Sequence, residues 1–390
     1  MESKRSEFLA YALPMTSEEE SRELIDTLES CWITTGPKTK LFEENFKKYI
    51  GAKHAIAVNS CTAGLHLSLK ASNISTGDEV ITTPLTFCAT VNTIEHVGAT
   101  PVLVDIDETT FNIDPDKIEE KITDKIKAII PVHYAGQACE MDKINKIAEK
   151  HNLLVIEDAA HAIGTEYKGQ KIGKNSYAAS YSFYATKNLT TAEGGMIVTN
   201  NDNLAEEMRI LSLHGISKDA WKRYTSEGSW YYEVIQPGFK YNMTDLQSSL
   251  GLHQLEKIEH FNKIRTEYAA IYNEYFANNP DIITPKAAMY GKMVWHLYVI
   301  RLTNVSRNLF IEKMKEYNIG TSVHFIPIHY HPYYKNTYGY TKGAFPITEK
   351  IFDQIVSLPL YPKMTLEDIK YVAKSTLEVI ESLKKVNTSV

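Results

Sequence analysis

Lys187 sits in the stretch SFYATKNLTTAEGGMIVT, residues 182–199, between a short aromatic and apolar run and a Gly-Gly pair. A lysine amine does chemistry when partial burial lowers its pKa and frees a lone pair to attack a carbonyl carbon. The chain carries 42 Lys plus Arg, most of them expected to be solvated charges, so its surroundings must set Lys187 apart. LLVIEDAAHA, residues 153–162, is an apolar strand pattern that ends on Asp158. In doubly wound sheets that carboxyl end is where ligands bind, although a strand-end acid also caps turns. NSCTAGLHL, residues 59–67, places small and hydroxyl residues at a strand-to-helix junction, with Thr62 and Ala63 in the first helical turn. Free amides and the helix dipole make such a junction a phosphate site, although Ser and Thr also cap helices that bind nothing.

An acid beyond a strand, a phosphate-sized helix terminus, an aromatic at Phe87 and a lysine, each in its own loop, together fit pyridoxal phosphate. The aldehyde of that cofactor needs an amine, its ring nitrogen an acid, and its phosphate amide and hydroxyl donors. Neither G-x-G-x-x-G nor G-x-x-x-x-G-K-[ST] occurs, so dinucleotide and P-loop readings have no support.

Strand-like runs alternate with helical ones from HAIAVNS to LLVIEDAA, including DPDKIEEKI as a helical segment. This rhythm specifies an α/β chain with a mostly parallel sheet sandwiched by helices. Two closely spaced strands, AASYSFY and GGMIVT, then put Lys187 on a strand-to-strand connection. Ser217 to Gly238 reads as a long excursion with a binding or interface role. TDLQSSLGLHQLEKIEHF begins a helix with a capping box, Thr244 to Gln247. The expected division is a large cofactor-binding domain over 1–260 and a smaller C-terminal α+β domain over 261–390.

A net charge of −6 without a long basic block excludes an electrostatic footprint for nucleic acid. No stretch approaches the roughly 18 apolar residues of a membrane span, and the first residues lack a signal-peptide core, so the expectation is a cytoplasmic protein. Cys31, Cys61, Cys88 and Cys139 form no C-x-x-C pair and read as reduced thiols. His324, His329 and His331 lack an accompanying Cys or acidic ligand, so no metal is expected.

ITTGPKTKLFE, IAVNSCTAGLHLSL, IIPVHYAGQ, VIEDAAHAIGTEYKG, SFYATKN, AEGGMIVT and PGFKYNMTDLQ occur in that order between Trp32 and Tyr361. Together they resemble the DegT/StrS-type sugar-nucleotide aminotransferases, which have fold type I. The resemblance is closest to the branch that aminates C4 of UDP- or dTDP-linked 4-keto sugars with glutamate as donor. It implies Lys187 as the Schiff-base lysine, Asp158 as partner of the ring nitrogen, Ser182 with Thr62 and Ala63 on the phosphate, and Phe87 on the ring. His161 stands near the phenolic oxygen, where many relatives have Gln. The resemblance further implies a homodimer with shared active sites, in which Lys240 or Asn242 reaches the partner's phosphate, and substrate contacts from His329, Thr34 and Tyr184. The segment reads Gly238-Phe239-Lys240-Tyr241-Asn242 where many relatives read G-Y-N-Y-R, so the choice between the two side chains stays open. A sugar dehydratase on the same scaffold would carry histidine at position 187, and a non-catalytic regulator would have lost the lysine, acid or phosphate residues.

Overall fold

The computed structural model describes residues 4–216 and 231–387. Most of the excursion expected over Ser217 to Gly238 therefore lies outside the described residues. The large unit comprises α1 (Glu18–Glu29), α2 (Pro37–Ile50), β1 (His54–Val58), α3 (Cys61–Ala71), β2 (Glu79–Thr82), α4 (Cys88–His96), β3 (Thr100–Leu103), β4 (Ile126–Ile129), α5 (Met141–His151) and β5 (Leu154–Asp158). It continues through β6 (Glu166–Tyr167), β7 (Gln170–Lys171), β8 (Ala178–Ser182), β9 (Gly195–Thr199), α6 (Asp202–Ser212) and α7 (Asp245–Phe276). Then follow β10 (Ile282–Ile283), β11 (Gly291–Lys292), β12 (Tyr298–Leu302), α8 (Arg307–Glu316), α9 (Pro332–Tyr338), α10 (Pro346–Gln354), β13 (Ile355–Leu358) and α11 (Leu366–Asn387).

The central sheet has seven strands in the order β1-β9-β8-β5-β4-β2-β3. Only β9 runs against its neighbours, pairing antiparallel with β1 and β8. Its strands are buried nearly throughout, as expected of a sheet covered on both faces. The start of β9 therefore meets the carboxyl ends of β5 and β8 at one edge. DPDKIEEKI forms two 3₁₀ turns, Pro115–Lys117 and Glu119–Lys121, and no α-helix. Asp114 caps the first turn at the Asp116 amide, and fully buried Ile118 pins the chain before it returns to extended geometry at Ile122.

The C-terminal sheet, β10-β12-β13, is antiparallel and packs its apolar face on α8 and α11 through Ile300, Phe310, Met314 and Val372. The N-terminal arm belongs to the same core: the Leu9 amide donates to Asn318 O at 2.7 Å, and the Gly320 amide donates to Leu9 O at 2.9 Å. α7 runs through residues 260 and 261 as one 32-residue helix. Its periodic apolar face simply changes partner along its length, from Phe42 of α2 to Tyr298 of β12.

The capping box expected at Thr244 is present, with Gln247 N donating to Thr244 Oγ1 at 3.2 Å and Thr244 N donating to Gln247 Oε1 at 3.0 Å. The next residue does a second job. Asp245, 1 % exposed, accepts from the amides of Gly36, Lys38 and Thr39 at 2.7, 3.0 and 2.9 Å and from the Thr39 hydroxyl at 2.6 Å. It thereby caps α2, whose own N-cap is a glycine without a side chain. Asp245→Ala should lower unfolding stability by about 2–4 kcal/mol, since it orphans several buried donors at once. Urea unfolding checks this, and a loss below ~0.5 kcal/mol would contradict the capping role.

Candidate active site

The edge where β5, β8 and β9 meet opens into a cavity of about 480 Å³. Of the residues expected to do chemistry, Thr62, Phe87, Asp158, His161, Ser182, Tyr184 and Lys187 all line it. Lys187 rides on the connection from β8 to β9, which is pinned on both sides of the lysine. Phe183 and Leu189 are fully buried, Phe183 exchanges backbone bonds with Gly194 and Thr191, and the Lys187 amide turns back onto Tyr184 O at 2.9 Å. The Gly-Gly pair has a steric cause. A Cβ on Gly195 would lie 2.6 Å from the carbonyl carbon of Ser60 and 2.7 Å from the Cys61 nitrogen, so β9 touches the backbone that starts α3.

That start is shaped as an anion site. Ser60 Oγ accepts the Ala63 amide at 3.1 Å, so of the two residues expected at the phosphate Ala63 already spends its N–H on the cap. Thr62 has no protein partner for its amide or hydroxyl among the described residues, and both lie in the first turn at the cavity wall. Ser182 ends β8 beside it.

Asp158 is buried at the cavity's inner end. Thr90 Oγ1 donates to its Oδ2 at 2.8 Å, the Ala160 amide donates to Oδ1 at 3.1 Å, and Thr86 Oγ1 lies 2.7 Å from Thr90 Oγ1. Burial pushes the Asp158 carboxyl above the usual range, against the pull of Thr90, Ala160, Lys187 and His133. Burial also lowers the Lys187 amine to about 8, although Cys61 and Asp158 favour its charge. Desolvation outweighs the mutual attraction for both groups. His161 is held neutral well below its ordinary range, first by burial and then by Lys187 and His324.

Four expected residues lie elsewhere. His329 is buried behind α4, where its Nε2 meets Glu349 Oε1 at 3.1 Å and its ring packs on Tyr330 and Phe345. Its turn is drawn inward by Ile328 in a cluster with Val91 and Leu103, so a single chain does not bring His329 to the cavity. Thr34 is exposed, and its carbonyl accepts the Asp245 amide. Lys240 Nζ donates to Asn242 Oδ1 at 2.7 Å and Asn242 Nδ2 donates to Thr35 Oγ1 at 2.6 Å, outside this cavity.

The cavity also recruits Tyr11, Thr90, His296 and Phe325, which sequence reasoning did not reach, and His324, which it weighed only as a metal ligand. The four-residue spacing of Thr86 and Thr90 on either side of the α4 start was the one local signal; the others arrive from distant segments. The donor set fits pyridoxal phosphate: an amine and a carboxyl at opposite needs of its ring, and an uncommitted helix terminus for its phosphate. An aldehyde captures only the neutral amine, so the rate at which cofactor-stripped protein takes up pyridoxal phosphate covalently should rise as pH climbs through about 8. Stopped-flow absorbance checks the profile, and a midpoint near the ordinary lysine value would contradict the buried amine.

Residues 14–377 match the model of the DegT/DnrJ/EryC1/StrS aminotransferase family. The chain is 52 % identical to the spore coat polysaccharide biosynthesis protein SpsC of Bacillus subtilis over 386 residues, 98 % of this chain and 99 % of that one. Spr1654 from Streptococcus pneumoniae, solved in its PMP form, superposes with a TM-score of 0.92 at 35 % identity over 98 % of this chain and 100 % of its own. The same protein is also known in a PLP form. PseC of Helicobacter pylori, an aminotransferase of pseudoaminic acid biosynthesis, superposes with a TM-score of 0.90 at 33 % identity, covering 97 % and 100 % of the two chains. The chain belongs to the DegT/DnrJ/EryC1/StrS aminotransferase family and is a pyridoxal-phosphate-dependent aminotransferase.

Proposed function

We propose that the enzyme transfers an amino group from glutamate to C4 of a UDP- or dTDP-linked 4-keto sugar, in the cytoplasm, to supply a 4-amino sugar for a surface polysaccharide. The observation that carries the catalytic part is the desolvated Lys187 amine facing Asp158 across one cavity at the sheet's carboxyl edge. The sugar part draws on SpsC and PseC, whose names place them in polysaccharide and pseudoaminic acid biosynthesis.

When bound, pyridoxal phosphate supplies the carbon that carries the amino group and a ring that withdraws electrons from it. Lys187 Nζ would hold that carbon at rest and, when free, would carry the proton, serving as base and then acid. A pKa of about 8 suits both roles near neutral pH. Asp158 holds the ring nitrogen's proton, oriented by Thr90 and the Ala160 amide. Thr62 and Ser182 bind the phosphate at the start of α3. His161 accepts the Ala135 amide at Nδ1, 3.2 Å away, so its neutral ring presents Nε2–H as a donor toward the phenolic oxygen. Glutamate would leave as 2-oxoglutarate before the keto sugar enters and takes up the amino group, which gives ping-pong kinetics.

The working unit in this reading is a homodimer. Phe87 and Tyr184 line the cavity and are both more than two-fifths exposed, apolar surface at its mouth that a second copy would cover. Lys240 or Asn242 then reaches the partner's phosphate; within one chain Asn242 uses both amide atoms, on Lys240 and Thr35, while Lys240 keeps further donors. Thr34, Tyr184 and His329 are the proposed sugar contacts. Lys187, in place of histidine, speaks against the dehydratase reading.

Incubation with glutamate and a panel of UDP- and dTDP-4-keto sugars, followed by mass spectrometry, should yield one aminated product; activity only toward free amino acids would overturn the substrate class. Lys187→Ala should keep cofactor by its phosphate and ring contacts while turnover falls at least ~10²- to 10⁴-fold. Borohydride should fix a pyridoxyl group on Lys187 in the wild type, and a label on another lysine would refute the assignment. Lys240→Ala should weaken cofactor retention more than folding, and a fully active monomer in sedimentation would contradict the shared site.

A further inference from the structure

Two imidazoles meet on the cavity wall with opposite hydrogen-bonding polarity, and each polarity is set by a backbone group. His161 and His296 have ring centroids 4.3 Å apart, and both line the cavity. The Ala135 amide donates to His161 Nδ1, so that nitrogen carries a lone pair. His296 is reached through a chain of amides that begins at two carbonyls. Asn262 Nδ2 donates to Ile163 O at 3.1 Å, which turns its Oδ1 toward Asn188. Asn188 Nδ2 donates to that oxygen at 2.8 Å and to Val294 O at 3.2 Å, which leaves Asn188 Oδ1 facing His296 Nδ1 at 2.9 Å. An amide oxygen only accepts, so His296 Nδ1 bears the hydrogen. The ring is neutral, chiefly through burial and then through His161, Lys187, Arg265 and His324, so Nε2 keeps its lone pair. Among the described residues no protein group bonds that nitrogen.

The wall around it is aromatic. Phe325 lies nearly parallel to His161 at 5.9 Å and near Phe87 at 5.9 Å, His324 packs edge-on to Phe325 at 5.0 Å, and Tyr11 lies 5.4 Å from His324. Ring faces suit the apolar C–H faces of a pyranose, and a lone acceptor among them suits one of its hydroxyls. The carboxylates of glutamate only accept, and its α-amino group is the one taken up at the cofactor carbon, so glutamate has no donor left for this acceptor.

We propose that His296 Nε2 accepts a hydrogen bond from a hydroxyl of the sugar substrate, making His296 a residue that selects the sugar over the amino donor. The inference rests on the sugar aminotransferase reading above. His161 addresses the cofactor with a donor, His296 addresses the sugar with an acceptor, and the Asn188–Asn262 pair keeps the two from exchanging roles.

The test separates the half-reactions of the holoenzyme, the first with glutamate and the second with the nucleotide-linked keto sugar. His296→Asn keeps an amide where Nδ1 stood but lacks the distal acceptor; His296→Gln places an amide oxygen near Nε2. One neutral hydrogen bond predicts that His296→Asn raises KM for the keto sugar about 3- to 10-fold beyond any change for glutamate, and that His296→Gln recovers part of it. Equal losses in both half-reactions would overturn the proposal. Independently of turnover, ¹⁵N NMR of histidine-labelled wild type should show an unprotonated Nε2 on His296 and a protonated one on His161; a proton on His296 Nε2 would also overturn it, and this reading stands even if His296→Asn does not fold. Wild type that reacts with glutamate but with no nucleotide-linked keto sugar would refute the functional reading and the sugar contact with it, while leaving the tautomers to the NMR result.

Discussion

No side chain fits at residue 195, and much of the site depends on that. Gly195 begins the one antiparallel strand of the central sheet, and the backbone at Ser60 and Cys61 presses against it where a Cβ would stand. The contact brings the first turn of α3, with Thr62, to the connection that carries Lys187. Gly64 extends it along the helix: a Cβ there would crowd Ser180 Oγ at 3.0 Å and Ile197 at 3.1 Å, so α3 lies low on β8 and β9. A bulkier residue at either place would separate Thr62 from Lys187.

Electrostatics then follow from depth. Asp158 and Lys187 carry opposite charges across one cavity, yet burial raises the first and lowers the second, because removing each from water costs more than their attraction returns. The three cavity histidines are kept neutral for the same reason. A site arranged in this way holds few permanent charges. It offers groups whose protons can be moved, along with hydroxyls and ring nitrogens of set polarity.

The cavity wall is built by both units of the chain. Arg265, on the far half of α7, donates to the carbonyls of His296 and Leu360 at 3.3 and 2.6 Å, while Asn262, one turn earlier, secures Asn188 beside the lysine. Tyr11 arrives on the N-terminal arm that packs on the C-terminal core. A single continuous helix therefore coordinates the lysine connection with the segment that carries His296.

The alternation of strand and helix was legible from local pattern, because apolar periodicity and caps such as Thr244–Gln247 act over a few residues. So were the residues at the strand end and at the first turn of α3: Asp158, Thr62 and Lys187 each announce themselves by type and position along the chain, whereas Ser182 came only with the family resemblance. DPDKIEEKI misled, since helical composition does not reveal that Asp114 and buried Ile118 limit the chain to two short turns. Around residue 260 the chain carries an unbroken helical pattern, α7, that runs from one core to the next. His329 and His296 show the deeper limit. Both are histidines in aromatic surroundings, yet one is drawn behind α4 to Glu349 while the other is turned to the cavity wall by Asn188, 108 residues away in the chain. The sequence by itself determined which elements form and which residues end them, because those depend on neighbours in the chain; which histidine faces the cavity, and with which nitrogen, was decided only by contacts that exist once distant segments have packed.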